Sequence, residues 1–215
     1  MVTTVVFDMD GLMFDTERLA RDAWQRAMAD HGYVLDDELF LRGVGRTVEG
    51  TCAAYVEALG PDLPIVAIEA AKARYLRELL GPGPPLKPGL LGLLDALSES
   101  RLPTAVASST AHLEVDRRLV QVGIRQHFAA IAGGDEVARG KPSPDLFLLA
   151  ARRLDVEPAG CVVLEDSAPG IAAAAAAGMK PIMVPDLIEA SPEVRERAVA
   201  VVASLDDALE VILGY

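Results

Sequence analysis

The sequence predicts an α/β protein in which a doubly wound parallel sheet carries an inserted all-helical domain. Six short apolar runs have the nearly continuous hydrophobicity that is typical of parallel strands covered on both faces. Helical patterns alternate with these runs along most of the chain, whereas residues 16–85 show helical patterns and no convincing strand. The apolar runs are Thr3–Phe7, Leu102–Ala107, Ala129–Ala132, Cys161–Leu164, Pro181–Val184 and Val199–Ala203.

The helices of the sheet domain are predicted from their periodicity and their end signals. The patterns are Pro88–Glu99, Ala111–Val122, Ser143–Arg153, Ser167–Gly178 and a last helix from Ser204. Ser143, Ser167 and Ser204 each stand where a hydroxyl can cap a helix by accepting a hydrogen bond from a backbone N–H. Pro144 suits the first helical position, and Gly178 suits the end of a helix. This strand–helix alternation predicts a Rossmann-like core.

The helical insertion directly follows the first strand. Its helical patterns are Glu17–His31, Thr47–Leu59 and Ile65–Leu80. The segment Gly81–Pro85 then interrupts the chain with glycines and prolines, which break helices. We therefore expect a core of residues 1–15 and 86–215 and a helical domain of residues 16–85, with hinges near Asp15–Thr16 and Gly81–Pro85. The alternative is that these helices merely pack on the sheet.

Charge and composition exclude several classes of protein. A net charge of −12 makes a nucleic-acid partner unexpected, because phosphate backbones bind clustered Lys and Arg. The sequence has no basic and then apolar leader and no run of about 18 apolar residues, so we expect neither a signal peptide nor a membrane partner. Cys52 and Cys161 lie far apart and fit reduced thiols. We expect a monomer in the cytoplasm.

Two carboxylates follow the first predicted strand at positions i and i+2. Asp8 and Asp10 point the same way if the segment is extended, because alternate side chains of a strand share a face. Open α/β sheets bind their ligands at this carboxyl edge. Neighbouring acids repel each other unless a cation or a shared proton lies between them. The spacing therefore favours an ionic site, with a polar loop after a strand as the alternative.

Three further polar groups follow predicted strands. Ser108 and the backbone N–H groups after it can cradle an anion, although serine is also a common N-cap. Lys141 precedes Pro142 on a stiff loop and suits a fixed anion, although a lone lysine of this kind is more often a surface residue. Glu165 and Asp166 end another strand and offer the oxygen ligands that Mg²⁺ prefers, with capping of a helix N-terminus as the alternative.

In this order, the four motifs resemble those of the haloacid dehalogenase superfamily. The likeness is greatest to the subgroup of phosphatases and β-phosphoglucomutases that carry a helical cap inserted after the first motif. The matching segments are Asp8–Glu17, Lys141–Asp145 and Glu165–Gly170. The resemblance covers the whole chain and implies a Mg²⁺-dependent phosphatase that acts on a small phosphorylated metabolite such as a sugar phosphate.

The resemblance also implies a role for each residue. Asp8 would form an aspartyl-phosphate, while Asp10 would protonate the leaving group and then deprotonate the attacking water. Ser108, Ser109 and the following amides would hold the phosphoryl oxygens, and Lys141 would offset their charge. The metal ligands would be Asp8, the main-chain carbonyl of Asp10, Asp166 and, directly or through a neighbour, Glu165.

The helical domain is expected to close over the substrate and to select it. Gly43–Thr47 matches the family's substrate-specificity loop, in which Arg46 offers a fork-shaped donor for a distal anion. Trp24 is expected in the core of this domain because it lies in an amphipathic pattern. The cations of the domain's last helix are expected to be solvated: Lys72, Arg74 and Arg77.

Two alternative functions remain. A phosphomutase of the β-phosphoglucomutase type shares every core motif, but those enzymes carry a histidine where counting from Asp15 gives Ala20. Their Lys-Asn pair after the serine is also replaced here, by Ala111 and His112. A non-catalytic signalling module that accepts phosphate on aspartate combines similar residues, but such modules lack the Asp-x-Asp on the first strand and the helical insertion.

Overall fold

The computed structural model describes residues 2–44, 46, 48–81 and 83–214 and divides into two compact units. The core unit comprises Met1–Phe14 and Pro85–Tyr215, and the helical unit comprises Asp15–Pro84. The chain therefore leaves the core unit directly after its first strand and returns to it once. Within the two loops singled out from the sequence, Gly45, Thr47 and Pro82 lie outside the described residues.

The described part of the helical unit forms four helices. They are α1 (Thr16–Asp30), α2 (Asp37–Leu41), α3 (Val48–Leu59) and α4 (Ile65–Leu80). Helix α4 packs against both α1 and α3. Trp24 of α1 and Tyr55 of α3 are buried edge to face, with ring centroids 5.1 Å apart, so the prediction of Trp24 as a core residue is confirmed. The sequence patterns missed the short helix α2, which Asp36 caps by accepting a hydrogen bond from the Leu39 N–H at 2.8 Å.

The core unit is built on a parallel sheet of six strands in the order β3-β2-β1-β4-β5-β6. The strands are β1 (Thr4–Phe7), β2 (Thr104–Ser108), β3 (Ala130–Gly133), β4 (Cys161–Glu165), β5 (Lys180–Met183) and β6 (Ala200–Val201). All six predicted strands are confirmed, and with them the predicted fold class. The order reverses between β1 and β4, and ligands of open α/β sheets bind beside such a switch point.

Six α-helices in the described part of the core unit flank this sheet. They are α5 (Leu90–Glu99), α6 (His112–Gln121), α7 (Asp145–Leu154), α8 (Ala168–Ala176), α9 (Pro192–Arg197) and α10 (Leu205–Leu213). Two of the predicted caps are confirmed, because the Ser167 hydroxyl accepts from the Gly170 N–H and the Ser204 hydroxyl accepts from the Asp207 N–H, each at 3.2 Å. No helix in the described ranges is both long enough and apolar enough to cross a membrane.

The start of α7 differs from the prediction. The helix begins at Asp145, so that Pro144 is the residue before it and not its first residue. The Ser143 hydroxyl donates to the Asp145 carboxylate at 2.8 Å and does not cap the helix. The prediction of Ser143 as the N-cap was therefore wrong, because the carboxylate two residues later takes its hydroxyl.

Both faces of the sheet are buried, which explains why its strands are apolar nearly throughout. Val5 and Phe7 of β1 belong to an apolar cluster with residues of α5, α6 and α10. Val6, which points to the opposite face, belongs to a second cluster with residues of α7 and α8. Helices on both faces therefore leave the carboxyl edge of the sheet as the place where polar side chains collect.

Candidate active site

The ends of three adjacent strands bring three of the predicted site residues to one edge of the sheet. Phe7 of β1 pairs with Val106 of β2 and with Leu164 of β4, so the residues that follow these positions lie side by side. Asp8, Ser108 and Glu165 are all buried there, with 6%, 1% and 0% of their surface exposed. These polar side chains are buried at the end of an apolar sheet, which requires that they be paired or bind an ion.

Lys141 lies between the carboxylates of Asp8 and Glu165. Its ammonium donates to the Asp8 carboxylate and to the Glu165 Oε1 atom, the latter at 2.7 Å. It also lies 5.0 Å from the ring centroid of Phe147 on α7. Burial alone would lower the pKa of Lys141, but the charges of Asp8 and Glu165 raise it above the ordinary value. Burial raises the pKa of Asp8, and the Lys141 ammonium opposes that shift.

Glu165 is held by hydrogen bonds on both of its carboxylate oxygens. Oε1 accepts from Lys141, while Oε2 accepts from the Ser167 N–H at 2.7 Å and from the Ser167 hydroxyl at 2.8 Å. The first turn of α8 packs directly on this carboxylate, since a Cβ at Gly170 would overlap it. Glu165 therefore holds both the Lys141 ammonium and the loop after β4 in position.

Three carboxylates at this edge can hold a metal ion. One carboxylate oxygen each from Asp8, Glu165 and Asp166 lie within 4.8 Å of one another. The Asp166 carboxylate packs against the main chain at Gly11, the residue after Asp10, so closely that a Cβ on Gly11 would collide with it. Gly11 also has a φ of +88°, a conformation that favours glycine. A set of hard, charged oxygens fits a Mg²⁺-like cation.

The second aspartate of the first motif is bound by residues that sequence reasoning missed. The Thr110 hydroxyl donates to Asp10 Oδ2, and the Arg118 guanidinium donates to Asp10 Oδ1, each at 2.9 Å. Thr110 stands two residues after the predicted Ser108, which is a local signal that was available. Arg118 lies on α6, ten residues after Ser108, and only the packing of that helix brings it to Asp10.

Two backbone N–H groups that follow β2 already have hydrogen-bond acceptors. The Ser108 hydroxyl accepts from the Thr110 N–H at 3.1 Å, and the Asp135 carboxylate accepts from the His112 N–H at 2.8 Å. His112 Nδ1 also lies 2.9 Å from the Glu136 carboxylate. Ser109 is exposed beside them. The structure thus places Ser108 and Ser109 at the predicted edge, with His112 already paired to an acid.

The helical unit carries Arg46, which is the remaining predicted site residue. It is exposed and lines a cavity of about 130 Å³ within this unit, together with Ala20, Trp24 and Lys72. The Lys72 ammonium lies 5.3 Å from the Trp24 ring centroid, and burial lowers its pKa. The prediction that the cations of α4 are solvated therefore holds for Arg74 and Arg77, which are exposed, whereas Lys72 is half-buried beside Trp24.

Comparison with known proteins places the chain in a family. The sequence profile of the haloacid dehalogenase-like hydrolases matches residues 2–178. The fructose-1-phosphate phosphatase YqaB of Escherichia coli (strain K12) is 34% identical over 182 residues, which cover 84% of this chain and 95% of that protein. The probable pseudouridine-5'-phosphatase of Drosophila melanogaster is 36% identical over 213 residues, covering 96% and 91%.

A solved structure gives the same result. The crystal structure of β-phosphoglucomutase from Clostridium difficile superposes with a TM-score of 0.77 and 25% identity, covering 100% of this chain and 96% of that one. The chain belongs to the haloacid dehalogenase-like hydrolase family, and the resemblance inferred from its motifs is confirmed. It is a phosphoric monoester hydrolase, which contradicts the alternative of a non-catalytic signalling module.

Proposed function

We propose that this enzyme is a Mg²⁺-dependent phosphatase that hydrolyses a small phosphorylated metabolite, of the sugar phosphate type, through an aspartyl-phosphate. The observation that carries the proposal is the buried Asp8 carboxylate at the end of β1, with Lys141 bound to it and Asp166 beside it. A nucleophile, a fixed cation and a place for a metal thus lie together at one point.

Asp8 and Asp10 carry the two chemical steps. An Asp8 oxygen forms a bond to phosphorus while the bond from phosphorus to the substrate's oxygen breaks, and Asp10 gives its proton to that departing oxygen. Asp10 then takes a proton from water as the water oxygen attacks the aspartyl-phosphate. This attack restores the Asp8 carboxylate and releases inorganic phosphate. Splitting one hard displacement into two easier ones is the advantage of the covalent route.

The other site residues of the core unit bind the phosphoryl group and compensate its negative charge. Ser108 and Ser109 bind phosphoryl oxygens, and Lys141 offsets the repulsion between the Asp8 carboxylate and the phosphoryl group. Asp8, Asp166 and the main-chain carbonyl of Asp10 would hold Mg²⁺, which would supply further positive charge at the phosphoryl oxygens. Glu165 would orient Lys141 and the loop after β4, since both of its oxygens already accept hydrogen bonds.

The helical unit selects the substrate in this proposal. Arg46 and Lys72 line one cavity together with Glu17, and two cations against one carboxylate there suit a second anionic group on the substrate. The relatives' names support a phosphate ester on a sugar or nucleoside, because one specifies fructose 1-phosphate and another pseudouridine 5'-phosphate.

A panel assay tests the function directly. Sugar phosphates and nucleoside 5'-phosphates are incubated with the enzyme and Mg²⁺, and inorganic phosphate is measured. We expect release from several sugar phosphates, abolished by excess chelator and restored by Mg²⁺. Asp8→Asn should lower turnover by about 10⁴-fold or more while circular dichroism and the melting temperature remain close to those of the wild type. A folded Asp8→Asn enzyme with near-normal turnover would contradict the assignment.

A further inference from the structure

We propose that Arg118 is a positioning residue for Asp10, and that it aims the Asp10 carboxylate at the substrate's departing oxygen. This inference rests on the proposed function, because it assigns Arg118 a part in the proton transfer through Asp10. Asp10 is bound on each oxygen by a different group, Arg118 Nη1 on Oδ1 and Thr110 Oγ1 on Oδ2, both at 2.9 Å. Two separate donors define the plane of a carboxylate as well as its position.

Asp10 depends on such donors because of where it stands. It follows the end of β1 in a turn closed by the Gly11 N–H bonding to the Phe14 carbonyl at 3.0 Å. Its side chain is 32% exposed, and it stands two residues from the like-charged Asp8. Repulsion between the two acids would turn an unbound Asp10 side chain away from the site. The Arg118 charge offsets this repulsion at close range.

Arg118 is itself fixed by its own helix. Its Nε donates to Glu114 Oε1 at 2.8 Å, one turn earlier on α6, and its side chain is only 12% exposed. The Arg118 guanidinium is planar and rigid. Because it binds Glu114 through one nitrogen and Asp10 through another, it fixes the position of the Asp10 carboxylate relative to that of Glu114. Lysine, with a single ammonium on a flexible stem, reproduces the charge and not this geometry.

The two hydrogen bonds leave Asp10 able to react. A carboxylate offers about four lone-pair positions on its two oxygens. Arg118 and Thr110 use one position on each oxygen, so positions remain that can face the substrate or a water. The arrangement therefore orients the general acid–base group without blocking it. Misplacing a catalytic group by about 1 Å can cost about 10²-fold in rate.

Leaving-group dependence distinguishes this role from a structural one. We would measure kcat/KM, which reports formation of the aspartyl-phosphate, for fructose 1-phosphate and for p-nitrophenyl phosphate. If fructose 1-phosphate is not turned over, the best sugar phosphate of the panel replaces it. An alkoxide needs a proton as it leaves, whereas p-nitrophenolate leaves without one. Arg118→Met should lower kcat/KM by about 10- to 100-fold for the sugar phosphate and by less than about threefold for the aryl phosphate.

Three further variants complete the test. In an Asp10→Asn background, Arg118→Met should cause no additional loss, because a residue that acts through Asp10 has nothing left to position. Arg118→Lys should recover part of the sugar phosphate activity and also serves if the methionine variant fails to fold. Arg117→Met is the matched control, since Arg117 also binds Glu114 but is 55% exposed on the same helix, and it should leave both activities unchanged.

The outcomes separate this inference from the proposed function. Equal losses on both substrates, or losses that add in the Asp10→Asn background, would overturn the role of Arg118. In that case a wild-type enzyme that releases phosphate, with an inactive Asp8→Asn variant, still supports the proposed function. A wild-type protein that releases phosphate from no ester would overturn both.

Discussion

Glu165 and Asp166 are neighbours in sequence, but the structure gives them different surroundings. Glu165 has both oxygens engaged, by Lys141 and by Ser167, and none of its surface is exposed. Asp166 instead packs against the main chain at Gly11, directly after the Asp10 carbonyl. At the scale of single residues, we therefore expect Asp166 to bind the proposed metal directly and Glu165 to support the site through Lys141.

A comparison of two isosteric variants tests this division. Asp166→Asn should raise the Mg²⁺ concentration needed for half-maximal activity by about tenfold or more, because it removes a charged ligand. Glu165→Gln should lower kcat with a smaller effect on the Mg²⁺ requirement, because it weakens the hold on Lys141. The measurement is a Mg²⁺ titration of phosphate release for each variant. A larger Mg²⁺ shift in Glu165→Gln would exchange the two roles.

At the scale of elements, helix α8 is built around a close approach to the site. Its N-cap residue, Ser167, binds Glu165, and Gly170 leaves no room for a side chain beside the Glu165 carboxylate. Gly170→Ala is therefore a helix-favouring change that should nevertheless harm the enzyme. Alanine ordinarily stabilises a helix interior by about 0.5–1 kcal/mol relative to glycine, but here its Cβ would overlap the carboxylate.

We expect Gly170→Ala to lower kcat by about tenfold or more through displacement of Glu165 and, with it, Lys141. Gly92→Ala is the matched control, because Gly92 is an exposed helical glycine of α5 whose added Cβ would meet nothing within 4 Å. The control should keep full activity and gain up to about 1 kcal/mol of stability. Thermal unfolding and steady-state kinetics give both quantities. Wild-type kinetics in Gly170→Ala would show that the close packing is irrelevant to turnover.

The cavity of the helical unit yields a prediction about selectivity. Arg46→Ala should raise KM about tenfold for a bisphosphate or another substrate with a second anionic group, since a charge-assisted hydrogen bond contributes about 1.5–3 kcal/mol. It should change KM for p-nitrophenyl phosphate little. Arg42→Ala is the control, because Arg42 is exposed and pairs with Glu38 on α2. Equal KM effects of Arg46→Ala on both kinds of substrate would mean that Arg46 does not recognise a distal anion.

At the scale of the whole molecule, features that depend on local sequence could be predicted, whereas features that depend on tertiary packing could not. The strands were predictable because burial on both faces makes each of them apolar. The meeting of Asp8, Ser108 and Glu165 at one edge was predictable because these residues end or directly follow those strands. The short helix α2 escaped prediction because five residues do not establish a periodic pattern. Arg118 and Lys72 escaped because only tertiary packing brings one to Asp10 and the other onto Trp24.

The structure also bears on whether the enzyme releases phosphate or moves it within its substrate. The β-phosphoglucomutases that the chain resembles carry a histidine at the position of Ala20, near the start of the first helix of the insertion. Ala20 lines the cavity with Trp24 and Lys72, and its methyl group can neither donate nor accept a hydrogen bond. Asp10 is instead bound by Thr110 and Arg118 of the core unit. In the proposed mechanism, proton transfer by Asp10 to and from water would therefore lack the control that the mutases' histidine implies.

A mutase must keep its phosphoryl group until a second hydroxyl arrives, whereas a phosphatase lets water react promptly. We therefore expect the aspartyl-phosphate of this enzyme to be hydrolysed faster than it is transferred to a sugar. The enzyme would be incubated with β-glucose 1-phosphate, Mg²⁺ and a trace of glucose 1,6-bisphosphate, and phosphorus NMR would follow inorganic phosphate and glucose 6-phosphate. The Asp8→Asn variant, which should form neither product, provides the background. Inorganic phosphate should accumulate first, and glucose 6-phosphate forming much faster than inorganic phosphate would identify a mutase instead.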